Sequence, residues 1–460
     1  MLSRRVQPSS RTPAVNRWPL YPAAATGFLT LIALLVLLST WGVVLSARAA
    51  SSRITLRFSE YPRPYENEML AELIPLFEKQ NPDIKIVYEP ITDPIKMTTS
   101  MVGGTAPDIV CWWSPDLHFW AKQGLLLDLN PYIQKGLFAD DIADMALGQV
   151  RGFQVNGVQY ALPQYLGTVA LYYNQDAVER AGVVEPSNDM DWDDFLMLAR
   201  KLTVRQGNSV KQWGFYLFHE IDRVAYWVRQ NGGEMMSPTD DTLCLLDQPA
   251  AIKAIQYWAD FIHRWKVSPT SAQISGTTLR DAFAGELAAT AADGSWSLAF
   301  MLPNTRFKLG IAHLPKGPVA RSTLANLDGY AIYAGSPHKE AAVRFLKFLV
   351  SPEANRLRAR YQGLQPARRS VAREWVELLL KQYPNARTAG SQILIFALAA
   401  EYAAPEPMFY NPNTAKTMLN QALYRIFQQG EPAEKVLKEV VPALNQKLRT
   451  EKQAAGKARR

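Results

Sequence analysis

Hydrophobic and polar positions repeat along this chain in two periods. At residues 54–58, Ile54, Leu56 and Phe58 alternate with Thr55 and Arg57, the two-residue repeat of a half-buried strand. Over residues 66–80 the period lengthens, and Met69, Leu70, Leu73, Ile74 and Phe77 fall on one helical stripe. Asn81-Pro82-Asp83 breaks that helix, and Ile84-Lys85-Ile86-Val87-Tyr88 reads as a second strand. Strand, helix, strand predicts a βαβ unit with a right-handed crossover. A helix follows over residues 94–102, then the turn at 103–108 and a short apolar strand at 109–112. A helix begun at Phe119 closes at Gly124, and strands are predicted at 157–162 and 169–173. Asp191, Asp193 and Asp194 precede an apolar run and predict a capped helix reaching about residue 202. Long amphipathic helices are predicted over 250–266 and 336–350, with mostly helix beyond 371. The fold class is α/β with a helical finish.

The N-terminus follows neither period. Phe28 to Leu45 runs without a charge, after Arg4, Arg5, Arg11 and Arg17 and before Ala47-Arg48-Ala49. A basic region, an apolar stretch and an A-x-A site are the parts of a secretory signal peptide, here residues 1–49. The same apolar residues are near the length of an uncleaved membrane anchor. On either reading the rest is exported to the periplasm or another extracytoplasmic space.

Composition then narrows the class. The formal charge of +8 falls to +3 once the five arginines of residues 1–49 are set aside, so a nucleic-acid partner is not indicated. The remaining length suits two domains. Cys111 and Cys244 are the only cysteines; a disulfide is open to an exported chain, but two buried apolar thiols are expected.

The catalytic and nucleotide-binding signatures are missing. The sequence contains no G-x-x-x-x-G-K-[ST], G-x-G-x-x-G, H-E-x-x-H or G-x-S-x-G. The five histidines lack metal-ligand spacing, so neither a metal nor a cofactor is expected. A pair of glycosidase carboxylates has no fixed spacing, which leaves an exported carbohydrate-active enzyme, lyase or glycosidase, as the alternative reading.

Several segments occur together in a telling order. Gly103-Gly104-Thr105-Ala106-Pro107-Asp108-Ile109-Val110 leads into Trp112-Trp113-Ser114. Tyr160-Ala161-Leu162-Pro163 is followed by Leu171-Tyr172-Tyr173-Asn174-Gln175-Asp176, and Asp293-Gly294-Ser295-Trp296 comes later. With Asn231-Gly232-Gly233 and the helix from Glu340 to Leu349, closed by Ser351-Pro352-Glu353, the chain resembles the extracellular solute-binding proteins of ABC importers. Within them it is similar to the carbohydrate group that includes maltose- and glycerol-phosphate-binding proteins. The resemblance implies a two-lobed periplasmic-binding-protein-like fold with a hinge and a helical C-terminal part. Carried onto this chain, lobe one holds residues 53–165 and 326–370, and lobe two 166–325 and 371–460. Crossings fall near 163–169 and 314–326, which puts Cys111 and Cys244 in different lobes. The implied function is non-enzymatic capture of a sugar, oligosaccharide or glycerol-phosphate-type solute by a monomer that delivers it to permease subunits.

A sugar ring offers an apolar face for stacking and a rim of hydroxyls for directional hydrogen bonds, so aromatic and polar loop residues are the expected contacts. The resemblance assigns Tyr61, Tyr65, Trp113 with Trp112 as alternate, Tyr165, Trp296, Asp328, Gly329, Tyr330, Gln365, Arg368 and Tyr410 to the cleft. Trp227, Asn231 and Gly232 join them. Trp112 and Trp113 are adjacent, so in a strand only one can face ligand. Trp258 and Trp265 read as core and Trp192 as packing beside a helix cap. Gly167 stands where the maltose relatives carry an acid, which argues against a maltodextrin ligand, and Arg368 suits a phosphate ester as well as a hydroxyl.

Overall fold

The computed structural model describes residues 53–458 apart from Pro64, Ile91 and Ala389. The signal peptide or anchor read over residues 1–49 lies outside the described residues. Among the described residues, no helix is long and apolar enough to cross a membrane.

The chain opens with β1 (Ile54–Glu60), α1 (Glu66–Gln80), β2 (Ile84–Tyr88), α2 (Pro94–Val102), β3 (Ile109–Trp113) and α3 (Ser114–Lys122). Then come β4 (Ala161–Asn174), α4 (Trp192–Leu202), α5 (Ile221–Gln230), α6 (Pro249–His263), β5 (Thr290–Gly294), β6 (Leu309–Ala312) and β7 (Thr323–Ile332). The finish comprises α7 (Lys339–Leu349), α8 (Pro352–Gln362), β8 (Ala403–Pro405), α9 (Pro412–Phe427) and α10 (Ala433–Ala458), with shorter helices between. The predicted βαβ unit forms, with β1 parallel to both β2 and β3. Asp191 caps α4: its side chain accepts from the N–H groups of Asp193 and Asp194, while Asp194 accepts from the Asp191 N–H.

One difference from the sequence reading matters for the site. Where two strands flank an expected crossing, β4 runs unbroken for 14 residues. The expected crossing is near 163–169, yet β7 pairs alongside from Ala161 to Thr168, and its register shifts at Asp328/Gly329, next to Pro163. A proline, which cannot donate to a ladder, is accommodated at such an irregularity. Beyond Thr168 the partners change, and Val169–Tyr173 pair with β5 while Leu171–Asn174 pair with β6. The resulting order is β6-β4-β7-β3-β1-β2, with β5 on β4 and β8 on β7.

Each half of this sheet has its own cores. Leu56, Phe58, Ile109, Leu162 and Phe345 pack together, next to a cluster of Trp112, Trp120, Leu166 and Leu327. On the other half, Val169, Leu171, Trp258, Leu419 and Leu444 share one cluster, and Tyr172, Phe283 and Trp375 share another. Full burial of each such aliphatic or aromatic side chain contributes about 1.5–3 kcal/mol, so both halves hold together largely on their own. Cys111 sits in the first core and Cys244 in the third, both as buried free thiols, as expected.

Candidate functional site

The loop after β1 and the middle of β4 and β7 bring polar side chains into the seam between the two sheet halves. Arg63, flanked by prolines in the sequence, forms an ion pair with Asp328 of β7, and its guanidinium carbon lies 5.1 Å from the centre of the Tyr165 ring. Tyr165 is paired with Asp328 across β4 and β7. Its hydroxyl donates to Asn326 Oδ1 (2.7 Å), and Asn326 Nδ2 donates to Glu406 Oε1 (2.9 Å). Glu406 lines a cavity of about 20 Å³ with Trp113, Asp222 and Lys416, where the Lys416 ammonium lies 5.3 Å from a Trp113 ring centre. Asp222 precedes Arg223 in α5. Arg223 Nη2 donates to Asp293 Oδ1 (3.2 Å), and its guanidinium carbon is 5.0 Å from a Trp296 ring centre. The Trp296 ring lies against Gly167 and Gly294, which returns the chain of contacts to Tyr165.

The arginines of this circuit each face a carboxylate. Arg63 answers Asp328, and Arg223 answers both Asp222 and Asp293; Arg280 adds a second cation to Asp293. Burial, reinforced by the Asp222 and Asp328 carboxylates, pushes the Glu406 carboxyl well above the usual range. Burial likewise raises Asp328 against the pull of Arg63. Several polar atoms here are buried with no hydrogen-bond partner: Arg63 Nε and Arg223 Nη1 are donors, Asp222 Oδ1 and Gln365 Oε1 are acceptors, and Ser295 Oγ is either. Buried polar groups are ordinarily paired. Orphans of both kinds beside aromatic rings suit a solute that both donates and accepts.

The structure brings only some of the predicted residues to this seam. Trp113, Tyr165, Trp296 and Asp328 belong to the circuit, and Gln365 adjoins it through its carbonyl, which accepts from the Leu166 N–H (3.2 Å). Trp112 turns inward as the alternation requires, its indole N–H donating to Asp116 (2.9 Å). Tyr61 and Tyr65, at 53% and 54% exposure, stand on the β1–α1 loop, with Tyr61 edge-on to Trp112. Gly329 lies under the Phe153 ring, and Tyr330 is buried in the first core beneath the Arg358 guanidinium. Trp227 is stacked on Trp258 at 3.8 Å in a core. Asn231 and Gly232 form the turn that ends α5; Asn231 donates to the Ala250 carbonyl and Gly232 has φ +76°. Arg368 is held by Asp141, Asp144 and the Val350 carbonyl, away from the circuit. Tyr410 is buried beneath Lys452. Arg63, Asp222, Arg223, Asn326 and Glu406 were missed; Arg63 alone had a signal, a cation between Tyr61 and Tyr65.

Behind the loop lies a second polar group. Arg358 makes a two-point contact with Glu60 (2.7 and 3.0 Å), and Glu66, the first residue of α1, accepts from Gln362 (2.6 Å). Burial, with the nearby Glu60 charge, pushes the Glu66 carboxyl up to about 8. An acid whose folded-state value is raised binds its proton more tightly when folded, so its contribution is complete at low pH and declines as pH rises through about 8. Urea titrations should show Glu66→Gln flattening the fall in stability between about pH 5 and 8; an unchanged slope would place the titration elsewhere.

With the geometry in place, comparisons with known proteins fix the kind of protein this is. A binding protein of Brucella abortus is 26% identical over 354 residues, covering 74% of this chain and 82% of its own. The arabinooligosaccharide-binding protein of Bacillus subtilis is 24% identical over 376 residues, covering 77% and 82%. Among solved structures, an ABC substrate-binding protein of Listeria monocytogenes in complex with cycloalternan superposes with a TM-score of 0.75 at 25% identity, over 86% of this chain and 99% of that one. UgpB of Mycobacterium tuberculosis, in complex with glycerophosphocholine, shares the fold with a TM-score of 0.70 at 19% identity, covering 88% and 100%. Residues 61–356 match the bacterial extracellular solute-binding protein family, and the chain belongs to that family.

Proposed function

We propose that this protein is the substrate-binding subunit of an ABC importer and captures an uncharged carbohydrate between its two lobes. The observation that carries this reading is the circuit itself: Trp113, Tyr165 and Trp296 are joined by polar groups whose arginines already face carboxylates and which leave both donors and acceptors unpaired. A phosphate ester would need a cation free of carboxylates. Arg63, Arg223 and Arg280 all face carboxylates, Lys416 shares its cavity with Asp222 and Glu406, and Arg368 is engaged elsewhere by Asp141 and Asp144. The carbohydrate named for the Bacillus and Listeria relatives supports the same choice.

The lobes are 53–165 with 326–370, and 166–325 with 371–460; the change of partners along β4 after Thr168 and the change of core from Leu166 to Val169 support a division close to the first of these bounds. The two approach each other on closure because only then does a solute touch both, which shifts the open–closed equilibrium. A monomer working outside the cytoplasm, led there by residues 1–49, would hand the solute unchanged to permease subunits. A thermal-shift screen of residues 50–460 tests the ligand class. Neutral oligosaccharides at a hundred times Kd should add about 2.7 kcal/mol of stability. Stabilisation by glycerol phosphodiesters alone would overturn the choice.

A rim contact adds an expectation. Lys122 of α3 donates to Asp241 (2.6 Å), which also accepts from Lys452 of α10 (2.7 Å), so the pair bridges elements packed in different cores. A half-buried rim pair of this sort contributes on the order of 1 kcal/mol and is partly screened by salt. Lys122→Met should weaken solute binding up to about fivefold at low salt and less at high salt, read by calorimetry. A loss independent of salt would show that closure does not use this pair.

A further inference from the structure

We propose that Gly167 is a positioning residue that seats the Trp296 ring at the crossing of β4 between the two sheet halves. The inference rests on the carbohydrate reading for its effect on binding, and on geometry alone for the seating. Gly167 faces Asn326 across β4 and β7, one residue before Thr168, where the pairing with β7 ends. Its φ is not among the positive values of the chain, so the backbone does not require glycine there. Space does. A methyl carbon at this position would lie 2.8 Å from Cε3 and Cζ3 of Trp296 and 2.8 Å from Cε2 of Tyr165. Non-bonded carbons rest roughly 3.5–4.0 Å apart, so at least one ring would have to retreat.

Tyr165 is the less free of the two, since its hydroxyl is bonded to Asn326 and Arg63 lies over its ring. The displacement therefore falls on Trp296. A methyl carbon at Gly294 would come within 2.3 Å of the same indole, so the ring lies against two bare backbone positions far apart in sequence. Aromatic rings bind by geometry as well as area. Moving Trp296 off this seat changes its angle to the solute and to the Arg223 guanidinium, 5.0 Å away.

The test is a double-mutant cycle on wild type, Gly167→Ala, Trp296→Ala and the combined variant. Near-ultraviolet circular dichroism and urea unfolding are recorded without ligand, and dissociation constants are measured for maltotriose, arabinotriose and cycloalternan. Seating predicts that Gly167→Ala alters the aromatic signal and weakens binding about tenfold or more in wild type, but changes both much less when Trp296 is already alanine. Equal effects in both backgrounds would overturn it. Should Gly167→Ala fail to fold, rescue by Trp296→Ala supports seating, and failure of both variants overturns it. Wild type that binds none of the probes contradicts the carbohydrate reading, and the ligand-free cycle then decides the seating by itself.

Discussion

Arg358→Met is expected to cost about 3–5 kcal/mol of folding stability, the largest loss for a single substitution of a polar side chain in this protein. The Arg358 and Glu60 side chains are 2% and 1% exposed, and the guanidinium meets the carboxylate at two points. The Coulombic attraction of such a pair does little more than offset the desolvation of its members, so the pair as a whole is only weakly stabilising. Removing one member is different, because the other charge stays behind without compensation. Glu60 would retain Gln164, a neutral donor, as its remaining partner among those named. Arg360→Met is the control, since Arg360 and its partner Glu72 are 46% and 40% exposed and should cost less than about 1 kcal/mol. Urea midpoints of the two variants decide the matter. Equal small losses would mean that the Arg358 site relaxes or takes up water.

Trp296→Ala should weaken solute binding by about 2 kcal/mol, roughly thirtyfold, while leaving folding much less affected. The ring is half-buried at the edge of a core rather than inside one, so its removal opens little cavity. The binding loss has two sources. The stacking face goes, and the Arg223 guanidinium loses the ring it lies against. Fluorescence or calorimetric titration of both proteins with one oligosaccharide checks this. A change of less than about threefold would remove Trp296 from the site and with it the binding consequence of its seating on Gly167.

Much of this architecture was legible in the alternation of side chains. The period-two run at Ile54, Leu56 and Phe58 and the stripe through Met69, Leu73 and Phe77 specify β1 and α1 because each buries one face. Asp191 and Asp194 announce α4 by satisfying its free N–H groups. Adjacency required that only one of Trp112 and Trp113 face outward, since neighbours on a strand face opposite ways, and the family resemblance put Trp113 there. The polar half of the seam was not legible, for a physical reason. Arg63 meets Asp328 across 265 positions and Asn326 meets Glu406 across 80, and no spacing rule encodes contacts made by folding at that range. Arg368 shows the same limit from the other side. Its partners Asp141 and Asp144 stand more than 220 residues earlier, so a cation held by two distant carboxylates looked like one free for a ligand. Trp227 could have been assigned better, because it lies on an amphipathic helix just as Trp258 does.

The central claim is that an uncharged carbohydrate is held by the seam of Trp113, Tyr165 and Trp296 and released intact. The most direct measurement is calorimetric titration of the wild-type protein with neutral oligosaccharides and with glycerophosphocholine, followed by chromatographic recovery of each solute after prolonged incubation. Saturable one-to-one binding of an oligosaccharide, weaker or absent binding of the phosphodiester and quantitative recovery of unchanged sugar is the predicted result. Tighter binding of glycerophosphocholine, or steady loss of the sugar, would contradict it.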